Sequence, residues 1–493
     1  MTCRSNSSAQ PRGSGRKAVL LVLGLAVTAA GCENALEVEL PGQITEEGTF
    51  IPAQADVLVA SAIADIECGM SDFIAFNAAG AEDVGMKTTG WYGSNLQYSP
   101  SPGGTCHTSS TSVGSFTSLQ KGRWMAEQSY ERLTDWTVEE APNRERLLAT
   151  AAIYAGLTYT FFGELYCEIT ANTGPLMSSQ QSLEVAEEWF TKALTHIQST
   201  GDFAIPSGVT SSARQMAHLL RARARFGMDD LTGAESDALQ VQQGFTSWYT
   251  RDEGGEPQRW NRVFASQVGT NGWVAIVGPI DYWSGPPNPV TGQPWPEVIP
   301  FTGYWDLGVL PDGRAISATE HPITTTDFAA AVADPRVPVV NTGNDRGGPR
   351  QYPILISQKY SSEDADIPLA KWQEAWFILA QIRKGQAAID LVNDIRDAAG
   401  LPQVSYLSPA DAAGVEDMVI EEIRREHFLE ARFWSTKLRY NLWFPRGVGQ
   451  DAWGQGYSTG VRLVMPGNEF DLNPNLDETD RGSMCVAHEN PVT

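Results

Sequence analysis

The side chains best suited to chemistry in this chain are aromatic, and they sit where no helix or strand period runs. Between Gly244 and Tyr360 the sequence carries Trp248, Tyr249, Trp260, Trp273, Tyr282, Trp283, Trp295, Tyr304 and Trp305 amid dense Pro and Gly. An earlier Gly/Ser/Thr-rich stretch, Asn77 to Thr111, adds Trp91, Tyr92 and Tyr98, with Asn95 close by. Flat rings beside polar groups suit sugars, whose axial C–H faces stack on Trp and Tyr while Asn, Asp, Arg or Gln meet the hydroxyls. Trp91, Asn95, Tyr282, Trp283, Trp295, Tyr304 and Trp305 are therefore the candidate ligand-binding residues. The competing account makes many of these rings buried anchors around which irregular loops fold.

Patterns for turnover are weaker. Glu426 and Glu430 lie one helical turn apart, a spacing open to acid–base work. Arg424, Arg425 and Arg432 share the same expected helix, so ion pairing explains the carboxylates better. Asp471-x-Asn473-x-Asn475 imitates the start of a calcium loop, but Leu476 stands where Gly is needed and no Glu fills the twelfth place. There is no phosphate-binding G-x-x-x-x-G-K-[ST] loop and no H-E-x-x-H helix. The 6 histidines are scattered, with no pair at metal-ligand spacing. Binding is favoured over turnover, with no catalytic residue, no cofactor and no metal expected. Two alternatives stay open: an exported glycoside hydrolase using loop carboxylates such as Asp281 and Asp306, or a helical-repeat scaffold whose partners are proteins.

Such loops need a frame, and helical periodicity supplies one on either side. Val57, Ala60 and Ala64 form a stripe within Asp56 to Ile66. A strong helix is expected from about Asn143, with Leu147, Leu148, Ala151, Ala155, Tyr159 and Phe162 at spacings of three and four. Next come Leu183, Ala186, Phe190, Ala193 and Ile197, with Ser182 as the expected cap and Glu184 in the first turn. Ala213, Met216, Ala217, Leu220 and Ala224 mark a third helix, and Ala234, Ala238 and Val241 a fourth. The pattern resumes with Leu369, Trp372, Trp376, Leu379 and Ile382, breaks at Gly385, and continues through Ala388, Leu391, Val392 and Ile395. A last long helix is expected from about Glu416 to Leu442, with Trp372, Trp376 and Trp434 in the core. Helical blocks at about 143–243 and 369–444 thus flank a loop-rich insert at about 244–360. The fold class is mostly α, with tetratricopeptide-like helix pairs supporting a large irregular face.

The N-terminus reads as an export signal. Arg12, Arg16 and Lys17 precede an apolar run from Ala18 to Ala30, too short to span a bilayer. Ala29-Ala30-Gly31-Cys32 resembles a bacterial lipobox, with Ala29 where Leu is usual, and makes Cys32 the expected lipidated residue. Residues 1–31 are then the signal, 32–50 a lipidated tether and 51–493 the folded part. Net charge is −24, and −28 without the first 31 residues, which argues against nucleic acid as a partner. Export permits disulfides among Cys68, Cys106, Cys167 and Cys485. Of the possible connectivities, Cys68 with Cys106 is favoured because the pair flanks one loop-rich stretch.

The C-terminal block carries a resemblance. Val392-Asn393-Asp394-Ile395-Arg396-Asp397-Ala398-Ala399-Gly400-Leu401-Pro402 resembles the N-x-I-R-x-R-A-G-L-P signature of SusD/RagB proteins, less its second Arg. The run from Ile423 to Trp434 looks like that family's E-R-R-R-E-L-x-x-E-G-x-R-W helix, and Lys437-Leu438-Arg439 fits its end, with Thr436 in place of an Asp. Leu463-Val464-Met465-Pro466 and Asn473-Pro474-Asn475 are similar to its closing motifs, and Arg144 to Tyr166 to its R-F-L-R-A-x-x-Y-F-x-L-x-x-x-F-G helix. The resemblance implies helix pairs beneath a loop-built face and a surface-exposed outer-membrane lipoprotein. It also implies a SusC-like, TonB-dependent β-barrel as partner and oligosaccharide, or in some members peptide, as ligand.

Overall fold

A computed structural model of the chain describes residues 50–77, 84–86, 115–254, 259–268, 274–276, 301, 303–305, 307–316, 330–345, 353–442 and 461–485. Small residues at helical spacing set its packing. Helix α1 (Ala55–Asn77) lies against α2 (Ser115–Asp135), and α2 against α3 (Arg144–Leu165), which also packs on α4 (Ser179–Thr200). Every residue from Leu148 to Gly163 of α3 is buried, so this helix forms the centre of the first block. Gly156 is why α4 can approach so closely: a Cβ there would sit 2.7 Å from the Phe190 ring. Leu183, Ala186, Phe190, Ala193 and Ile197 face inward, as their spacing predicts.

The start of α4 differs from expectation. Its cap is Ser178, not Ser182: the Ser178 hydroxyl accepts from Gln181 N and the Gln181 side chain accepts from Ser178 N, a complete capping box. Ser182 falls one turn later on the buried face, where its hydroxyl donates to Tyr159 O at 2.8 Å. Helices α5 (Ala213–Gly227) and α6 (Leu231–Ala238) form the next pair and lead into the insert, which contains α7 (Arg262–Val268). Beyond it α8 (Trp372–Arg383) pairs with α9 (Gly385–Ala398), and α10 (Ala412–Glu426) packs on both. Trp372 and Trp434 are buried, and Trp376 meets Trp372 edge to face at 5.2 Å.

The expected single helix from Glu416 to Leu442 is two. After α10 the chain turns through residues 427–432, with Leu429 and Ala431 at φ 57° and 55°, before α11 (Phe433–Arg439) and the short α12 (Gly467–Leu472). Buried charge explains the break. The Glu430 carboxylate accepts from Lys359 Nζ at 2.6 Å, Lys371 Nζ at 2.9 Å and His427 Nδ1 at 2.9 Å. Three carbonyls freed by the turn find donors too: Lys371 on Glu426 O, Lys359 on Phe428 O and Tyr360 on Leu429 O. Those donors come from the far side of the insert, which the helical stripe alone does not reveal.

Strands within the described residues are short and antiparallel. β1 (Val84–Met86) pairs with β5 (Val274–Ile276), and β2 (Glu168–Ile169) with β3 (Met177–Ser178). β4 (Thr246–Tyr249) pairs with β11 (Ile367–Lys371), Thr246 opposite Lys371 and Tyr249 opposite Ile367. The insert is therefore an out-and-back excursion whose two ends are zipped together. Inside it β6 (Gly308–Val309) lies between β7 (Ala315–Ile316) and β8 (Val332–Ala333), while β9 (Val339–Asp345) pairs with β10 (Pro353–Ser357). A disulfide joins Cys167 to Cys485. Cys68 is disulfide-bonded as well, to a partner outside the described residues, where Cys106 also lies.

Arg396, the Arg of the N-x-I-R motif, is wholly buried and donates to Glu422 Oε1 at 2.6 Å, Gly313 O at 2.6 Å and Pro402 O at 3.0 Å. Arg396→Met should cost about 3–5 kcal/mol, because it leaves buried partners uncompensated. A urea midpoint unchanged from that of the parent chain would refute this account.

Candidate functional site

The loop face is built on a buried polar anchor. Helix α1 contributes Glu67, Ser71 and Asp72, and the segment after β4 contributes Thr250, Arg251, Arg259 and Arg262. Glu67 Oε2 accepts from Thr250 Oγ1 at 3.0 Å, Arg251 Nη2 at 3.2 Å and Arg259 Nη1 at 3.0 Å. Asp72 Oδ1 accepts from Arg262 Nε at 3.1 Å, and Ser71 Oγ donates to Trp260 O at 3.1 Å. From the other end of the insert, Asp366 accepts from Arg251 N, and the Ala365 carbonyl accepts from Asn261 Nδ2 at 2.7 Å. Burial pushes the Asp72 carboxyl up to about 6 against the opposing pull of Arg262, and raises Glu67 despite Arg251 and Arg259. The pairing of β1 with β5 adds a second tie, joining the early loop to the insert 5 residues before Trp91 and 6 before Tyr282.

The expected ligand residues are placed unequally. Tyr304 is a core anchor rather than a surface ring. It is fully buried, stacked on Phe428 with centroids 4.6 Å apart, and the Arg424 guanidinium lies 4.9 Å from its centroid. Trp305 is half-buried against the same core. Trp91, Asn95, Tyr282, Trp283, Trp295, Cys32, Asp281 and Asp306 lie outside the described residues.

The charged motifs form structural networks. Arg424 and Arg425 pair with Glu421, not with the Glu426/Glu430 couple, and Arg425 also reaches Asp334. Glu426 pairs with Lys371, and Arg432 bridges Glu164 and Glu374. The calcium-like Asn473 instead donates to Thr170 Oγ1 at 3.2 Å and Gly174 O at 2.9 Å, stitching the closing segment to the loop between β2 and β3.

One feature escapes sequence reasoning altogether. A cleft of about 460 Å³ opens where the end of α3 meets α5, α8 and α11. On its wall Arg223 grips Glu164 in a fork, Nε to Oε1 at 2.7 Å and Nη2 to Oε2 at 2.5 Å. Arg432 adds Nη1 to Glu164 Oε2 at 2.9 Å and Nη2 to Glu374 Oε1 at 2.6 Å. Burial opposes the Glu164 charge, but Arg223 and Arg432 outweigh it and hold the carboxyl at about 2. These partners stand 58 to 268 residues apart, so no local pattern announces them.

Comparison with solved structures bears on the whole arrangement. A SusD superfamily protein from Bacteroides thetaiotaomicron superposes with a TM-score of 0.54 over 87% of this chain and 99% of its own, at 13% identity. The fold is that of the SusD superfamily. A SusD superfamily protein from Bacteroides fragilis gives 0.53 over 88% of this chain and 100% of its own, at 15% identity. A SusD-like carbohydrate binding protein from Bacteroides vulgatus gives 0.51 over 86% and 97%, at 12% identity. No family model and no curated protein matches the sequence. At such low identity the likeness is one of fold.

The Asp72 anchor is testable through pH. Its folded carboxyl titrates near 6, above its ordinary value of 3.8, so its contribution to stability is present below about 4 and is lost as pH rises through 6. The stability difference between the parent chain and Asp72→Asn should therefore shift in favour of the parent chain as pH falls from about 7 to 4. Paired denaturation curves with a constant difference across that range would contradict it.

Proposed function

We propose that the protein is an exported, lipid-anchored glycan-binding protein, not an enzyme. It captures oligosaccharides at the surface of the outer membrane and passes them to a SusC-like, TonB-dependent β-barrel. The SusD fold carries this reading, since one structural neighbour of that fold is described as a carbohydrate binding protein. The sequence adds the lipobox-like Cys32 and an aromatic-rich insert between the helical blocks. Among the described residues no helix is long and apolar enough to cross a membrane, which suits a protein held by lipid.

In this reading Trp91 and Asn95 from the early loop act with Tyr282, Trp283, Trp295 and Trp305 from the insert. Stacking on the rings supplies affinity, and polar loop groups select among hydroxyl patterns. Tyr304 serves the platform from beneath, as a core anchor of the insert. The Glu67 and Asp72 ion pairs fix where the insert leaves the helical frame.

Two measurements test the proposal. On an oligosaccharide array the purified protein should bind selectively, and Trp283→Ala or Trp91→Ala should weaken binding by about 1–3 kcal/mol. No binding to any glycan, with the fold verified by circular dichroism, would overturn it. For the anchor, Cys32→Ser should abolish palmitate labelling and release the protein from membranes; persistent labelling would refute the lipid attachment.

A further inference from the structure

Among the described residues of the cleft, two side chains keep an unused polar atom: Arg432, whose Nε has no partner, and His427. His427 is 3% exposed and belongs to the cleft lining. Its Nδ1 faces Glu430 Oε2 at 2.9 Å, and its ring meets Phe377 edge to face. With Nδ1–H donating to that carboxylate, Nε2 carries a lone pair, and among the described residues no donor reaches it. Burial lowers the imidazole below its ordinary range, which keeps the ring neutral at pH 7. A buried acceptor held in one tautomer by a carboxylate selects a ligand that brings a hydrogen-bond donor.

The rest of the cleft narrows the choice. Its buried charges are matched, Glu164 and Glu374 being satisfied by Arg223 and Arg432. At the rim Asp229 meets Arg439 at 2.7 Å, Lys384 and Glu416 add one charge of each sign, and Arg462 adds a further positive charge, its Nη1 donating to Glu164 O at 3.0 Å. Carboxylates and basic groups thus both line the cleft, and a charged ligand of either sign would meet like charge there. Among the described residues the remaining polar lining is neutral, with Ser435, Thr436, Gln381 and Tyr440, and Phe226 and Leu438 supply apolar wall. A hydroxyl suits such a lining because it donates to His427 while accepting from a neighbour. The volume falls within the range of small-ligand pockets and holds about one or two hexose rings.

We propose that this cleft is a second ligand site, separate from the loop face, which takes a neutral mono- or disaccharide whose hydroxyl donates to His427 Nε2. The inference rests on the cleft alone and stands whether or not the loop aromatics bind glycans.

The test uses the full-length protein with glucose, galactose, mannose, maltose and cellobiose, and with glucuronate and glucosamine as charged counterparts. Binding is read by saturation-transfer NMR and by the ¹⁵N shift of His427 Nε2. At least one neutral sugar should bind and move that shift, with the charged sugars weaker. His427→Asn, which keeps a donor toward Glu430 but removes Nε2, should weaken binding about tenfold. Thr436→Trp, which fills the cleft without touching an ion pair, should abolish it and decides the matter if His427→Asn is unstable. Absence of binding by every neutral sugar, an unmoved His427 resonance, or undiminished binding by folded Thr436→Trp would each overturn the proposal.

Discussion

The structure depends on a set of charges taken out of water and forced to satisfy one another. Glu422 receives Arg336 at 2.8 Å and Arg396 at 2.6 Å; Asp334 receives Arg336 and Arg425; Glu421 receives Arg424 and Arg425. Burial works against the Glu422 charge, but Arg336 and Arg396 overcome it and hold the carboxyl far below the usual range. Each ion carries a desolvation cost of several kcal/mol, which its partners offset only when the geometry is complete. Such a network contributes little net stability and much specificity. It accepts one arrangement of α9, α10 and the insert, because any other leaves a buried charge alone.

That constraint explains how an insert with little regular structure is held against a helical frame. Arg336 and Asp334 belong to the insert, Arg396 to α9 and Glu422 to α10. Lys359 and Lys371, near the insert's return, reach Glu430 in the turn between α10 and α11. At the opposite end Glu67 and Asp72 on α1 hold the departing strand. The insert is thus fastened at its root by ion pairs and by the β4–β11 zipper, leaving its outer part to carry function.

The sequence made the frame legible where one physical rule dominates. The stripes of α3, α4, α5, α8 and α9 follow the helical period, and Gly385 marks the junction of α8 and α9 as expected. It misled where long-range charge overrode local pattern. Nothing near Glu430 announces Lys359 or Lys371, so a continuous apolar stripe through Ile423, Ala431 and Trp434 read as one helix. Tyr304 looked like its neighbours Tyr282 and Trp305, and only the approach of Phe428 and Arg424 sets it in the core. The cleft was illegible for the same reason, since α3, α5, α8 and α11 meet there only after folding.

The Cys167–Cys485 bond spans 318 residues of chain. In a chain exported N-terminus first, the Cys167 sulfur would enter the oxidising compartment ahead of its partner. During that interval the Cys167 thiol has Cys68 and Cys106 as earlier-made rivals. In the finished fold the closing segment itself docks beside Cys167, whose N–H donates to Leu463 O at 2.7 Å while Gly482 N–H donates to Glu168, so that docking brings the two sulfurs together.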